Sequence, residues 1–489
     1  MEWSMILGTV MALAAGCYAL QAFIFSKRDA QEPTYIRPSL PLIGHFIHYL
    51  KKGTPYFSDV EQATKVLSNI SDKTAGIVDT LSEDDDTRTL ARLFHHVEAS
   101  TLSNGPSLDR INKVTSQEKL RLVDELVLES SKNPVTLELY DWIQEVITMS
   151  ATAGFYGPQN PYKDPQHKKD FWTFNDHIPL VTANLAWLFA PKAHKARNDN
   201  RERYGAYYRA GGVENASDFV KERTRILIES GAPPMEAAAI NTGFDVALLS
   251  NYAGIAFWTV FNVISRPGLL EAARQEAEKA VVRGGEDGDY TLDVSVLRTS
   301  CPLLVSVLQE TQRLKMLHAN IREVISDTNI SAGGKDYRLK KGNYVQLHVP
   351  PILRSKELWG ENADTYDPRR FIKKDEPYGA ESVLPPNQLP PMAFPVWGVA
   401  PHVCPARYYA STGVLVLVAL IILKLDFSPA GGEGPADPAW PEVGEEFNYS
   451  AVSKPTIPIN VSVRARQEWM GRWGVAVGTP NTRLQFSVA

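Results

Sequence analysis

The stretch FPVWGVAPHVCPARYYA, residues 394–410, places a cysteine directly before a long apolar segment. Pro405 follows Cys404, and proline is favoured at the first position of a helix. The apolar run over residues 413–423 is too short to cross a bilayer and is typical of a buried core helix. The pattern therefore predicts that the Cys404 sulfur lies at the N-terminus of a core helix.

A thiol at a helix N-terminus has a lowered pKa, because unpaired backbone N–H groups and the positive end of the helix dipole stabilise the thiolate. Such a cysteine is suited to bind a metal or to act as a nucleophile, whereas a buried, inert thiol is the plainer alternative. No second cysteine or Cys/His cluster lies near Cys404 in the sequence, so zinc is a poor fit. A single axial thiolate on haem iron needs one cysteine alone.

The composition limits the classes of partner and compartment. A net charge of -5, from 51 basic and 56 acidic residues, provides no overall basic field for nucleic acid. Three cysteines in the whole chain cannot form a disulfide framework, which favours a reducing compartment. The 489 residues show no Gly/Ser linker in their middle, so we expect one large catalytic domain over residues 46–489.

The N-terminal region predicts a membrane anchor. The segment Met5–Phe25 has no charged residue and is long enough to cross a hydrocarbon core of about 30 Å. A cleaved signal peptide is the alternative, but no basic residue precedes the segment and Lys27 and Arg28 follow it. We therefore expect a retained anchor over residues 1–28, a proline-containing hinge over residues 29–45, and a cytoplasmic catalytic domain.

Helical periodicity dominates the remainder of the chain. The segment Val246–Ile264 has no charge and is long enough for a second membrane span, but its polar residues, which include Ser250 and Asn251, favour a helix buried in a large domain. Residues 336–349 alternate in polarity around a Lys-Gly pair, which predicts a β-hairpin. The fold class that we predict is mainly α with a minor β-sheet.

Residues 394–410 resemble the haem-binding loop of the cytochrome P-450 superfamily, Phe-x-x-Gly-x-x-x-Cys-x-Gly-Arg. The resemblance implies that Cys404 is the axial ligand of the iron of haem b, and that His402 and Arg407 bind the haem propionates. Trp397 stands where the family has phenylalanine. Alanines at 400 and 406 replace the two loop glycines, which implies a slightly reshaped loop.

Further marks of the family follow in the expected order. Glu310 and Arg313 are spaced to pair on one helix face, and Arg370 in YDPRRF, residues 366–371, resembles the third member of the family's Glu-Arg-Arg network. The resemblance gives this network a scaffold role rather than a chemical one. Arg322 in ANIREV matches the family's propionate-binding arginine.

The long apolar helix then corresponds to the one that crosses the distal face of the haem. Asn251 takes the place of the family's oxygen-activating threonine, and Ser250 takes the place of its acid. This pair can form hydrogen bonds with oxygen but cannot supply an acidic proton. SNYAGIAFW, residues 250–258, resembles the branch with prostacyclin synthase and the sterol 7-alpha hydroxylases, which contains both monooxygenases and electron-independent isomerases.

The resemblance implies a cytochrome P-450 fold, with one departure. Members of the family place two strands of the main sheet after the hinge, whereas residues 53–73 pass directly to helical sequence. We therefore expect a fold that lacks the first strands of the main sheet, and strand residues 343–349 with an unpaired edge. The resemblance is closest to membrane-anchored enzymes of fungal secondary metabolism.

These observations lead to one functional expectation and two alternatives. The expectation is a haem-thiolate monooxygenase of the endoplasmic reticulum membrane that oxidises a bulky lipophilic secondary metabolite, such as a terpenoid, meroterpenoid or polyketide. Its electrons would come from NADPH through cytochrome P-450 reductase. The alternatives are a reductase-independent haem-thiolate isomerase or dehydratase, and a non-catalytic, degenerate copy.

Overall fold

The computed structural model describes residues 65–74, 90–284, 289–373, 392–399, 402–430, 439–446 and 451–477. The anchor and the hinge that the sequence predicts lie outside these residues. In the described parts the fold is mainly α-helical with small β-sheets, as the sequence predicts.

The helices fall into two groups, before and after the π-helical turn Val246–Ser250. Those before the turn are α1 (Leu90–Leu102), α2 (Pro106–Ser130), α3 (Leu139–Tyr156), α4 (Pro165–Asn175), α5 (Ile178–Thr182), α6 (Ala186–Phe189), α7 (Pro191–Arg209), α8 (Asp218–Glu229) and α9 (Pro234–Asp245). Those after it are α10 (Asn251–Ile264), α11 (Pro267–Glu278), α12 (Val294–Thr299), α13 (Pro302–Lys315), α14 (Val349–Leu353), α15 (Lys356–Trp359) and α16 (Arg407–Lys424).

The strands form small sheets of two or three members. Their bounds are β1 (Val135–Glu138), β2 (Val281–Arg283), β3 (Asp289–Asp293), β4 (Ala319–Glu323), β5 (Thr328–Ala332), β6 (Lys335–Leu339), β7 (Tyr344–His348), β8 (Gly398–Val399), β9 (His402–Val403), β10 (Leu425–Pro429), β11 (Glu445–Glu446), β12 (Lys454–Pro455), β13 (Asn460–Ala465) and β14 (Arg472–Ala476). The sheet orders are β1-β13-β10, β14-β3-β2, β4-β7, β5-β6, β8-β9 and β11-β12.

Local sequence signals explain several helix starts. Asp164 accepts a hydrogen bond from the Gln166 backbone N–H, and Pro165 takes the first position of α4. The Glu138 side chain caps α3 in the same way by accepting from the Asp141 N–H. Short polar segments thereby fix where the helices begin, while burial decides how they pack.

Two apolar helices form the centre of the core. The stretches Pro234–Ile264 and Arg407–Lys424 are long and apolar enough to cross a membrane, but 89% and 83% of their most apolar windows are buried in the protein. The α10 helix packs against α3, α13 and α16, and every α16 residue from Ser411 to Lys424 is buried. Both stretches are therefore accommodated as core helices, in agreement with the sequence prediction.

The hairpin predicted for residues 336–349 is wrong. Strand β6 pairs with β5, and strand β7 pairs with β4. The four strands therefore form one longer hairpin, with β4 and β5 in its first arm and β6 and β7 in its second. Its turn lies at Gly333 and Gly334, whose φ values of 58° and 73° suit glycine. The Lys-Gly pair is a bend within one arm, because the Gly342 N–H bonds to the Val324 carbonyl across the ladder.

The sequence places the expected loss of two strands at residues 53–73, and residues 53–64 are not among the described residues, so this departure stays a prediction. In the described residues no strand precedes β1. Strand β7 is exposed along its whole length, with Tyr344 at 45% and Leu347 at 36% of full exposure. Its partner in the described structure is β4 alone, so in the described residues the other edge of β7 has no paired strand.

Candidate functional site

The loop before α16 holds Cys404 by backbone hydrogen bonds. Strands β8 and β9 pair closely, and the Cys404 N–H donates to the Trp397 carbonyl at 2.6 Å. Gly398 adopts a φ of 91°, which only glycine takes without strain. The backbone N–H groups of Ala406 and Arg407 donate to the sulfur. Residues 400–401 and the His402 side chain lie outside the described structure.

Burial raises the pKa of the Cys404 thiol above its ordinary value, and the N–H donors of Ala406 and Arg407 only partly offset this effect. The prediction of a lowered pKa from the helix N-terminus alone is therefore wrong. The physical reason is that withdrawal of a sulfur anion from water costs more than two backbone donors return. A cation bound at the sulfur would supply the charge that stabilises the thiolate.

Cys404 lies on the wall of a cavity of about 330 Å³. The wall is formed by α10, the π turn, the start of α16, and the segments that follow α13 and β11. It also includes the cysteine loop, which is the segment from Val396 to Ala406 that holds Cys404. Its residues are Ala247, Leu248, Asn251, Tyr252, Ile255, Gln312, Met316, His318, Val396, Trp397, Gly398, Cys404, Ala406, Tyr409, Ala410, Ala451 and Val452. The lining is predominantly apolar, as in sites for lipophilic ligands.

The structure separates the two residues that were expected to face oxygen. Asn251 lies in the cavity wall, and its Oδ1 accepts a hydrogen bond from the Ala451 N–H at 2.9 Å. Ser250 does not line the cavity, because its hydroxyl is buried and donates to Oδ1 of Asn175 at the end of α4. The expectation for Ser250 is corrected accordingly: the side chain ties the helix to its neighbour.

Arg322 and Arg407 both attach to the cysteine loop. The Nη2 atom of Arg322 donates to the Val399 carbonyl at 3.0 Å, and Nη1 of Arg407 donates to the Cys404 carbonyl at 3.0 Å. The Nε atom of Arg407 is buried and has no hydrogen-bond partner among the described residues. Two guanidinium groups thus contact the loop that presents the sulfur, and such groups can bind an anionic ligand.

The structure brings Glu310, Arg313 and Arg370 into one buried network. Arg313 donates to both oxygens of Glu310 at 2.7 and 2.9 Å, and Nε of Arg370 donates to the same oxygens at 3.1 Å each. Arg313 also reaches the carbonyls of Leu353 and Ala363, at 2.6 Å each. None of the three lines the cavity, so the network joins α13 to the segment beyond α15 rather than touching a ligand.

Sequence reasoning missed the polar wall residues Gln312 and Tyr409. Tyr252 and His318 lie in the 250s and in residues 317–320, two stretches that the sequence predicts to line a substrate pocket. His318 follows α13, and burial lowers the pKa of its imidazole to about 4 although the ring bonds to the Pro395 carbonyl. The imidazole is therefore neutral at pH 7. No sequence motif marks Gln312 or Tyr409; only the meeting of α10, α13 and α16 places them in the wall.

Comparisons with known proteins agree with this geometry. The model of the cytochrome P-450 family matches residues 255–444, a range that contains the Glu310 network and Cys404. The chain is similar to the cytochrome P-450 monooxygenase nodJ of Hypoxylon pulicicidum, with 27% identity over 94% of this chain and 95% of that protein.

Two further relatives extend the comparison. A cytochrome P-450 monooxygenase of Gibberella zeae is 25% identical over 83% of each chain. The 25-hydroxycholesterol 7-alpha-hydroxylase of Rattus norvegicus is 24% identical over 66% of this chain and 79% of that protein. The relatives therefore include both fungal monooxygenases and a sterol hydroxylase.

Proposed function

We propose that the chain is a cytochrome P-450 monooxygenase that oxidises a bulky, lipophilic small molecule with electrons supplied by a reductase. The observation that carries the proposal is the position of Cys404, at the wall of an apolar cavity and at the start of core helix α16. The proposal includes haem b as the cofactor and NADPH as the source of electrons.

The residues of the site fit a haem. The Cys404 sulfur is available on the cavity wall as a single soft ligand, and Trp397 lies beside it. Arg322 on β4 and Arg407 at the start of α16 both donate to carbonyls of the loop that holds Cys404, and the buried Nε of Arg407 lacks a partner in the described structure. Both guanidinium groups are thus suited to bind carboxylates of a ligand. When bound, a thiolate-ligated haem iron supplies the chemistry of dioxygen activation.

The chain's own residues would orient and enclose the substrate. Asn251 is held in the wall by the Ala451 N–H, and its amide group can both donate and accept hydrogen bonds. An amide cannot release an acidic proton, so we propose that Asn251 orients oxygen-containing groups and that water delivers protons. The apolar residues around it, including Ile255 and Val452, would exclude bulk water.

A polycyclic or similarly bulky apolar molecule is the substrate class that we propose. The apolar lining favours such a ligand, and the printed name of the rat relative describes a sterol hydroxylase. The similarity to fungal monooxygenases supports a secondary metabolite, such as a terpenoid, meroterpenoid or polyketide. The apolar segment Met5–Phe25 supports an anchor in the endoplasmic reticulum membrane, beside a membrane-bound reductase.

The test is the absorption spectrum of the reduced, carbon-monoxide-treated protein. We expect the red-shifted Soret band of a thiolate complex in the parent, its loss in Cys404→Ser, and its retention in the control Cys301→Ser. Cys301 is a matched control because it is buried away from the cavity, where its thiol donates to the Glu276 carbonyl. An unchanged spectrum in Cys404→Ser would disprove the assignment.

A second measurement separates the proposed monooxygenase from an isomerase or dehydratase. Candidate substrates are incubated with the haem protein, with and without NADPH and reductase. Oxygen incorporation that requires both components supports the monooxygenase. Product formed at the same rate without them would replace it by the reductase-independent alternative.

A further inference from the structure

A buried carboxylate on the helix above the cavity receives three tyrosine hydroxyls. Tyr156 donates to Oδ1 of Asp245 at 2.6 Å, Tyr162 donates to Oδ2 at 2.7 Å, and Tyr204 also donates to Oδ2. All four side chains are fully shielded from solvent or nearly so. The tyrosines come from the end of α3, from the turn at residues 161–163 and from α7, so Asp245 joins three separate elements.

Asp245 occupies a special place along the helix. It is the last residue of α9 and directly precedes the π turn Val246–Ser250, after which α10 begins at Asn251. The other end of the π turn is held by the hydrogen bond from Ser250 to Asn175. Both ends of the turn are therefore tied to the layer of α3, α4 and α7.

A π turn needs such support. It closes i→i+5 hydrogen bonds, is rare, and occurs mostly as a single turn within an α-helix. A π turn contains about one residue more than an α-helical turn, and an α-helix rotates by about 100° per residue. If the π turn became α-helical, the side chains after it would therefore rotate about the helix axis by roughly 100°. The cavity residues Ala247, Leu248, Asn251 and Tyr252 lie in the π turn or directly after it. Their direction depends on the turn.

We infer that Asp245, held by Tyr156, Tyr162 and Tyr204, is a positioning residue that fixes the π turn and thereby directs Asn251 and Tyr252 into the cavity wall. The inference deepens the proposed function, because it concerns ligand binding in the same cavity and rests on that function for its ligand. Asp245 does not line the cavity, so it acts through the backbone of the helix.

The chemistry of the cluster favours a carboxylate at this position. Two carboxylate oxygens can accept several hydrogen bonds, whereas an asparagine has one acceptor oxygen and brings two N–H donors that the three hydroxyls do not need. Burial raises the pKa of the Asp245 carboxyl to about 7, while the three hydroxyls and the charge of Arg223 oppose that shift and favour the ionised form. The buried ring of His167 packs edge-on against Tyr162 and Tyr204. The groups that face Asp245 are thus three hydroxyl donors and one guanidinium group.

The experiment compares Asp245→Asn, Tyr162→Phe and Tyr204→Phe with the control Tyr207→Phe. Tyr207 is a buried tyrosine of α7, like Tyr204, but its hydroxyl donates to the carbonyls of Tyr156 and Gly212 at 2.9 Å each. The control removes from the same helix a buried hydroxyl that makes no hydrogen bond to Asp245. Thermal midpoints are recorded for all variants, so that a loss of stability is separated from a change of position.

Two readouts follow ligand binding and the helix itself. In the haem protein, 4-phenylimidazole is titrated optically, and we expect its dissociation constant to rise about tenfold in Asp245→Asn and Tyr204→Phe but less than about twofold in Tyr207→Phe. Hydrogen exchange of peptides that span residues 244–258 needs no haem. We expect faster exchange there in the cluster variants than in the control.

The outcomes distinguish this inference from the proposed function. If the cluster variants lower the thermal midpoint but leave both the titration and the exchange of residues 244–258 as in the control, the cluster only stabilises the fold and the inference is wrong. If the parent protein binds no haem, the proposed function fails, and hydrogen exchange alone decides the positioning role. If Asp245→Asn does not fold, the two phenylalanine variants decide.

Discussion

Replacement of Lys119 by methionine should stabilise the protein at neutral and mildly alkaline pH. Lys119 lies on α2 and is completely buried, and its Nζ has no hydrogen-bond partner in the described parts of the chain. Its Nζ atom lies 5.4 Å from the centroid of the Tyr252 ring. Methionine has a similar length and no titratable group, so it preserves the packing and removes the cost that a buried lysine carries, either as a desolvated ammonium group or through loss of its proton.

The magnitude follows from the pKa of Lys119, which burial lowers from 10.5 to about 7. Between these values the unfolded chain binds a proton that the folded protein does not, so the free energy of unfolding of the parent rises with pH in this window. The rise is about 1.4 kcal/mol per pH unit. At pH 8 the free energy of unfolding of Lys119→Met should therefore exceed that of the parent by about 3 kcal/mol.

The assay is urea unfolding of parent and variant at pH 7.5, 8.5 and 9.5. The variant should be more stable at pH 7.5, and its advantage should shrink by about 1.4 kcal/mol per pH unit as the parent's lysine loses its penalty. Lys113→Met, an exposed lysine on the same helix, should leave the pH dependence of the parent unchanged. A constant difference between Lys119→Met and the parent over this range would refute the reasoning.

Two further substitutions test the scaffold. Glu310→Gln should lower the free energy of unfolding by about 3–5 kcal/mol, because it leaves the buried guanidinium of Arg313 without its counter-charge; chemical unfolding that shows a change below about 1 kcal/mol would contradict this. Gly413→Ala should lower the thermal midpoint, because its Cβ would overlap the Tyr252 hydroxyl, whereas Gly268→Ala, where a Cβ meets nothing within 4 Å, should not. Equal midpoints for the two alanine variants would show that Tyr252 moves aside without cost.

The position of the cysteine could be predicted because its signals are local. Pro405 and the apolar run behind it mark the start of a helix, and α16 begins at Arg407. The spacing of Glu310 and Arg313 similarly places both on one face of α13. The direction of the Cys404 pKa shift could not be predicted, because burial of the sulfur depends on every segment that packs around it.

Strand pairing was predicted less well than strand position. Alternation of polar and apolar residues correctly indicated extended chain in 336–349, but the choice of partners was wrong. A Lys-Gly pair is compatible with either a hairpin turn or a bend, and the competing glycine pair at residues 333–334 supplied the turn instead. Which of two local possibilities forms depends on the strand that lies opposite.

The sequence by itself determined the mainly helical fold, the cysteine at the start of a core helix and the resemblance to the cytochrome P-450 family. These features depend on residues that are neighbours along the chain. Only the tertiary structure decided that Ser250 turns away from the cavity and that Asp245 receives hydroxyls from residues 41 to 89 positions away. Helix periodicity states which face of a helix is buried, but the partner of a buried polar group is set by distant segments that burial brings together.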